Sequence, residues 1–167
     1  PQRRRLLQLG QSTWLDYISR GLITSGELAR MIAANDVVGM TSNPTIFEKA
    51  LSGFDDYDAA IRSAALRGIT DPYAAFVDFA ADDIRLACDA LTPTYEAMDG
   101  QDGFVSLDVP PGIEHDRDAT IAEARRLSEL VGRPNVMIKV PGTPAGVQAL
   151  EALIAEGLNV NVTLLFA

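Results

Sequence analysis

The sequence lacks the residues that metal, redox and triad chemistry depend on. It has one cysteine, Cys88, one histidine, His115, and one tryptophan, and only 7% of its 167 residues are aromatic. A single cysteine excludes an internal disulfide and any multi-cysteine zinc site, which suits a reducing compartment. One histidine beside one cysteine assembles neither a Ser-His-Asp triad nor a histidine-rich metal centre, so no metal ligands are assigned. No GxGxxG or GxxxxGK[ST] phosphate loop occurs. No apolar run approaches the roughly 18 residues of a membrane span, and no signal-peptide pattern precedes the first helix. The expectation is a cytoplasmic protein. Cations are also scarce: 14 Lys and Arg stand against 23 Asp and Glu, a net charge of −9. Nucleic acid and anionic membrane are therefore excluded as general partners. The short basic run Arg3–Arg5 reads as a solvated helix face. Cys88, on an apolar helical phase in DDIRLACDAL, reads as an inert core thiol, and His115 in GIEHDRD as a solvated loop residue.

Hydrophobic residues make up 47% and charged residues 22%, a composition that can bury a sizeable core. Short β-type runs alternate with longer amphipathic patterns. The strands are STWLD (12–16), VVGMTS (37–42), FVSLDV (104–109), VMIKV (136–140) and NVNVTLL (159–165). Helix ends are legible between them. Thr24 and Glu27 fit a capping box before Leu28, Met31 and Ile32. Asp71-Pro72 reads as an N-cap and first-turn proline ahead of Tyr73, Phe76, Val77, Ile84 and Leu91. A helix after Asp118 places Ile121, Ala124, Leu127 and Val131 on one face and stops at Gly132. Another starts at Thr143-Pro144 and carries Val147, Leu150, Leu153 and Ile154 toward Gly157. About 60 residues separate the second and third strands, too many for one crossover helix and enough for two or three. This order predicts a parallel sheet with crossover helices.

Side chains two apart in a strand share a face. Val105, Leu107 and Val109 therefore oppose Ser106 and Asp108, and Val136, Ile138 and Val140 oppose Met137 and Lys139. Val160, Val162 and Leu164 oppose Asn159, Asn161 and Thr163, while Thr41 and Asn43 share a face, as do Trp14 and Asp16. Each strand has an apolar face and a face whose polar groups cluster toward its C-terminal end. A doubly wound sheet would bury both faces. A (β/α)8 barrel turns one face into a lumen with its site at the C-terminal mouth, and this pattern fits it better. Residues 1–167 then read as one α/β domain: the first five βα units of a TIM barrel, incomplete at the C-terminus.

Lys139 lies between Ile138 and Val140 in an otherwise buried-type strand, where an unpaired charge is costly. Four readings are open: a core lysine paired with a carboxylate, a phosphate-binding point charge, an exposed edge residue, or a nucleophilic amine able to form an imine. Asp16 and Asp108 are candidate acids and bases on the same face. Asn43, Asn161 and Thr163 are neutral hydrogen-bonders suited to sugar hydroxyls, and asparagine is depleted in strands. Separately, these residues read as a solvated strand end, a turn residue before Pro44 and a β-former; together they form a set on one face. VPGTPAG leads into a helix N-terminus that could help bind an anion, though helix entry alone explains it.

GQSTWLD, GMTSNPTIFEKA, FVSLDV, MIKVPGTPAG and LNVNVTLLF, in this order and over nearly the whole chain, resemble the bacterial transaldolase family. TSNPTIFEKA and the pair IKVPGTPAG and NVTLLF carry most of the specificity. The resemblance implies a class I, imine-forming (β/α)8 barrel that moves a dihydroxyacetone unit between sugar phosphates without metal or organic cofactor. It implies Lys139 as the imine lysine, Asp16 as the catalytic aspartate after the first strand, and Asn43 as the asparagine of the SNP motif. It likewise implies Asn161 and Thr163 as the polar pair of the fifth strand. Thr41 and Ser106, on the polar faces of their strands, join the two asparagines as candidate substrate-binding residues. One departure is that the family carries glutamate in its VS-x-E-V strand, where this chain has Asp108. The carboxylate is drawn back by about 1.5 Å, which either a water, held by Thr163, takes up or slower imine formation reflects. The family's phosphate-binding serine and arginines belong to later units and find no counterpart here. The remaining strands are expected from the rest of the polypeptide or from another chain. Two alternatives stay open: a simple aldolase of the fructose-6-phosphate aldolase type, and a truncated, non-catalytic folding or assembly module.

Overall fold

The computed structural model describes residues 5–7, 9–53 and 55–165, so Arg3 and Arg4 of the basic run lie outside the described residues. The strands are β1 (Trp14–Asp16), β2 (Gly39–Thr41), β3 (Val105–Asp108), β4 (Val136–Pro141) and β5 (Val160–Thr163). The helices are α1 (Arg20–Thr24), α2 (Glu27–Ala33), α3 (Pro44–Gly53), α4 (Asp58–Leu66), α5 (Pro72–Ala97), α6 (Arg117–Val131) and α7 (Pro144–Ala155), with a 3₁₀ turn at Asp55–Tyr57. The long insertion between the second and third strands thus holds α3, α4 and α5.

All neighbouring strands are parallel, and their order in the sheet is their order in the chain, β1-β2-β3-β4-β5. Right-handed crossovers that always step in one direction put every helix on the same side of the sheet. The burial pattern agrees. Along β4 buried residues alternate with half-buried ones, with Val136, Ile138 and Val140 on the covered face. Met40, Val105, Leu107 and those three β4 residues form one core with Ile84, Leu91, Leu127 and Leu153 from the helices. The other face is curled and half open, as expected for the first βα units of a TIM barrel. Trp14 pairs directly with Gly39 and lays its indole where a β-carbon on that glycine would stand. The N-terminal part of the concave face is filled in this way, and its C-terminal part is left to the polar residues.

The helix starts follow local chemistry. Asp71 accepts a hydrogen bond from Ala74 N at 2.9 Å and Pro72 opens α5; Thr143 Oγ1 accepts from Gly146 N at 3.0 Å and Pro144 opens α7. Cys88 is buried within α5, and burial pushes its thiol up to about 12, in keeping with an inert core cysteine.

Several local expectations are corrected. The Thr24–Glu27 capping box does not form, because a short helix already occupies Arg20–Thr24 with Ser19 as its cap. Thr24 Oγ1 donates back to the Arg20 carbonyl, and Gly26 enters α2. The cap of α6 is Asp116, which accepts from Ala119 N at 3.0 Å, so Asp118 lies within the first turn. The first two strands are shorter than 12–16 and 37–42. Ser12 is drawn aside to donate to the buried Asp102 carboxylate, and the chain after Thr41 turns into α3. Leu164 leaves the apolar face of the fifth strand: its φ of 58° ends β5, and its side chain is exposed. In α7 the covered stripe is Gly146, Ala149 and Leu153, while Val147 and Ile154 face outward. That helix packs on α6, β4 and β5, leaving its far flank bare among the described residues.

A β-carbon at Gly146 would run into the Pro141 carbonyl oxygen, a backbone atom that cannot move aside. Gly146→Ala should therefore destabilise the fold by about 1–3 kcal/mol, the usual cost of overpacking, seen as a lower urea midpoint. An unchanged midpoint would show that α7 does not approach β4 so closely.

Candidate active site

Register places the polar side chains in tiers. Asp16, Thr41, Ser106 and Met137 are successive partners across β1 to β4. One pleat higher, Asp108 pairs with Lys139 and Lys139 with Asn161; above them, Pro141 pairs with Thr163. These residues share the concave face because each strand alternates with the same phase.

Lys139 and Asp108 form an ion pair, Nζ to Oδ1 at 3.3 Å, with side chains only 13% and 18% exposed. Neither charge could be so enclosed alone, so the paired-lysine reading holds whatever else the residue does. Lys139 Nζ also donates to the Ser42 carbonyl at 3.0 Å, linking the end of β2 to β3 and β4. The Ser42 hydroxyl donates to the Ser106 carbonyl at 2.9 Å, which holds that carbonyl-bearing loop against the sheet. Asn161 Nδ2 donates to Ser106 Oγ at 2.9 Å.

Burial pushes the Asp108 carboxyl up to about 6, with the Lys139 cation and its hydrogen bond pulling the other way and the Asp16 charge adding to the rise. Its second oxygen, Oδ2, is buried and has no hydrogen-bond partner among the described residues. A half-satisfied carboxyl with a near-neutral midpoint beside an amine is suited to proton exchange with whatever reacts at that amine.

Two adjoining cavities open at the C-terminal edge of the sheet. One, of about 420 Å³, brings together Lys139, Asp108, Thr163, Thr143, Glu114 and His115. The other, of about 350 Å³, is mostly apolar and brings Asn43 against Asp108, with Phe47, Phe76 and Leu107 among its walls. Asp108 and Pro44 belong to both. The Asn43 side chain is partly committed, since its Oδ1 accepts from Ile46 N at 3.0 Å at the start of α3. Its amide N–H groups have no partner among the described residues, which leaves them for a ligand. Asp16 is exposed at the end of β1 and stands outside both cavities, reaching Asp108 only through its charge. Thr41 is half-buried and its hydroxyl donates to the Ser42 carbonyl at 3.4 Å.

Two contributions were not legible beforehand. Ser42 acts through its main-chain carbonyl, which no residue-type pattern reports; a small polar residue at a strand end is the only hint. His115 is an exposed turn residue, as its sequence context suggests, yet the turn brings it to the rim of the Lys139 cavity. Thr143 Oγ1 fixes that turn by donating to the Glu114 carbonyl at 2.5 Å.

Because the folded state holds the Asp108 proton more tightly than a chain with the ordinary value of 3.8, this group favours folding most below about pH 4, and the contribution is lost as pH rises through about 6. The Lys139 cation favours the ionised form. Lys139→Met should therefore move the Asp108 midpoint upward from about 6 in a carbon-13 NMR titration of its carboxyl; a fall would contradict the pairing.

Residues 13–167 match the family described as Transaldolase/Fructose-6-phosphate aldolase. The chain is 51% identical over 160 residues to "Transaldolase 2" of Nostoc punctiforme, covering 96% of this chain and 42% of that protein. It is 51% identical over 164 residues to a transaldolase of Thermobifida fusca, covering 98% and 44%. With a transaldolase of Mycobacterium ulcerans it shares 47% identity over 167 residues, covering 100% and 44%. The chain thus spans less than half the length of these relatives.

Proposed function

The chain belongs to the transaldolase/fructose-6-phosphate aldolase family, and on that footing we propose that it carries the imine-forming half of a transaldolase site. The observation that supports this most is a lysine amine enclosed on the concave face of the sheet, 3.3 Å from a carboxylate of the neighbouring strand. In this reading the Lys139 amine attacks C2 of a ketose phosphate, fructose 6-phosphate or sedoheptulose 7-phosphate. Asp108 takes a proton released from the nitrogen and returns one to the departing carbinolamine hydroxyl, which leaves as water; Thr163 holds a relaying water. Asp16 takes the C4 hydroxyl proton, the C3–C4 bond breaks, and its electron pair flows into the iminium to give the enamine. An aldose phosphate, erythrose 4-phosphate or glyceraldehyde 3-phosphate, is released, and another takes up the dihydroxyacetone unit by the reverse steps. Asn43, through its free N–H groups, and Asn161, with Thr41 and Ser106 beside them, hold the dihydroxyacetone hydroxyls. Phosphate ligands and the strands that close the barrel come from the rest of the polypeptide or from another chain. The whole acts on pentose phosphate intermediates in the cytoplasm. Among the described residues, no helix is long and apolar enough to cross a membrane.

The family description also names fructose-6-phosphate aldolase, and the second reading is a simple aldolase that releases free dihydroxyacetone. Product analysis of the whole protein with and without erythrose 4-phosphate separates the two: a transaldolase forms sedoheptulose 7-phosphate and little free dihydroxyacetone. Fructose 6-phosphate followed by borohydride should leave a reduced adduct on Lys139, and Lys139→Met should leave none; labelling at another lysine would remove the assignment.

Asp108→Ala should slow single-turnover imine formation about 10²-fold, the scale of a positioned acid–base group, whereas Asp108→Glu should retain or raise activity. Since the carboxylate form is the one that accepts the proton, the wild-type rate should fall as pH drops below about 6. Asp108→Asn should lose that limb. Unaltered imine formation in Asp108→Ala would refute the role.

A further inference from the structure

Away from the cavities, three side chains from distant parts of the chain meet in a buried cluster. Asp83, on the inner side of α5, has a fully buried side chain, and Tyr57, which closes the 3₁₀ turn, is itself 0% exposed. Arg20 opens α1, shortly after Asp16. The Arg20 Nε donates to Asp83 Oδ1 at 2.8 Å, and the Tyr57 hydroxyl donates to Asp83 Oδ2 at 2.5 Å. The guanidinium also lies 5.0 Å from the centroid of the Tyr57 ring, a cation–π distance. Both carboxylate oxygens are thereby satisfied and the charge is balanced, which a carboxylate so enclosed requires.

The Tyr57 hydroxyl has a second task. It accepts a hydrogen bond from the main-chain N–H of Arg20 at 3.2 Å. It therefore grips the backbone path as well as a side chain. The residues between Asp16 and this grip are fixed too: Ile18 is fully buried, and the nearly buried Ser19 accepts from Leu22 N at 3.2 Å. Such an anchor matters here because β1 is only three residues long, and among the described residues its one strand partner is β2. So short a strand has few ladder hydrogen bonds with which to set the position of its last, exposed residue. The clamp also closes a circuit, since the chain that leaves the sheet at Asn43 returns through α3 to Tyr57 and takes hold of the segment following Asp16.

We propose that the Tyr57–Asp83–Arg20 cluster is a positioning device that fixes Asp16, one pleat below Lys139 on the concave face, for C3–C4 bond cleavage. The inference rests on the reading of Asp16 as the group that takes the C4 hydroxyl proton. It assigns the cluster to one step of the reaction and not to the other, because its hydrogen bonds grip the segment after Asp16 and none of them is made to β3 or β4, which carry Asp108 and Lys139.

The test uses the whole protein with fructose 6-phosphate and reads two steps separately: imine formation by timed borohydride trapping, and release of glyceraldehyde 3-phosphate per trapped site. Tyr57→Phe removes only the hydroxyl. It should leave imine formation within about twofold and slow cleavage about 10- to 100-fold, the scale on which small misplacements act. A merely structural role would lower the melting temperature while leaving both steps unchanged per folded site, or depress both equally; either result overturns the proposal. Should Tyr57→Phe not fold, Asp83→Asn is read by the same ratio, and Arg20→Lys, which keeps the charge and the main-chain donor, should recover part of the cleavage rate. Asp16→Asn separates the two ideas. If it leaves cleavage unimpaired, the reading of Asp16 fails and the positioning role goes with it. If it slows cleavage while Tyr57→Phe does not, only the positioning role fails.

Discussion

A lysine and an aspartate enclosed side by side on adjacent parallel strands set the terms for everything around them. Two charges with so little solvent can remain only if each answers the other and their remaining valences are met. Strand register supplies the first condition, since Asp108 and Lys139 are direct partners between β3 and β4. The Ser42 carbonyl supplies part of the second by accepting from the amine. What is left unmet is one carboxylate oxygen, Asp108 Oδ2. The unmet acceptor and the raised carboxyl midpoint have the same cause, a carboxylate drawn out of water further than one cation can compensate.

The sheet makes that enclosure possible by being dry on one side only. Sequential parallel order sends each crossover to the same flank, so Val105, Leu107, Ile138 and Val140 are sealed beneath helices while their neighbours along each strand look into a concave face. The indole of Trp14 over Gly39 occupies the lower part of that face. Polar groups above it are lifted toward the C-terminal edge, where the loops after β2, β3 and β4 wall two cavities that share Asp108. The insertion of α3, α4 and α5 serves this edge twice, bringing Asn43 to one cavity and Tyr57 to the segment behind Asp16.

Aspartate at the position where the family resemblance implies the longer glutamate fits the same geometry. Direct pairing of Asp108 with Lys139 across the ladder already brings their side-chain termini to 3.3 Å. A carboxyl one methylene longer would reach past that contact toward the cavity, so the shorter side chain is held closer to the amine.

Much of this was legible in the order and alternation of residues. Period-two patterning put Lys139, Asp108, Asn161 and Thr163 on the face opposite the valines, because side-chain direction in a strand depends on nothing beyond parity. Asp71-Pro72 and Thr143-Pro144 announced helix starts because capping is satisfied within four residues. Where two local signals competed, as at Thr24 and Ser19, tertiary packing chose between them, and Leu164 turned away from the face its parity assigned. Contacts between distant segments were beyond reach of any local pattern. That Lys139 meets Asp108 and the carbonyl of Ser42, that Asn43 spends one oxygen on a helix, and that Tyr57 clamps Arg20 to Asp83 all follow from which residues stand level across the sheet and where the crossovers return. Alternation fixes the face of each strand but leaves its register free, and only packing the whole chain removes that freedom.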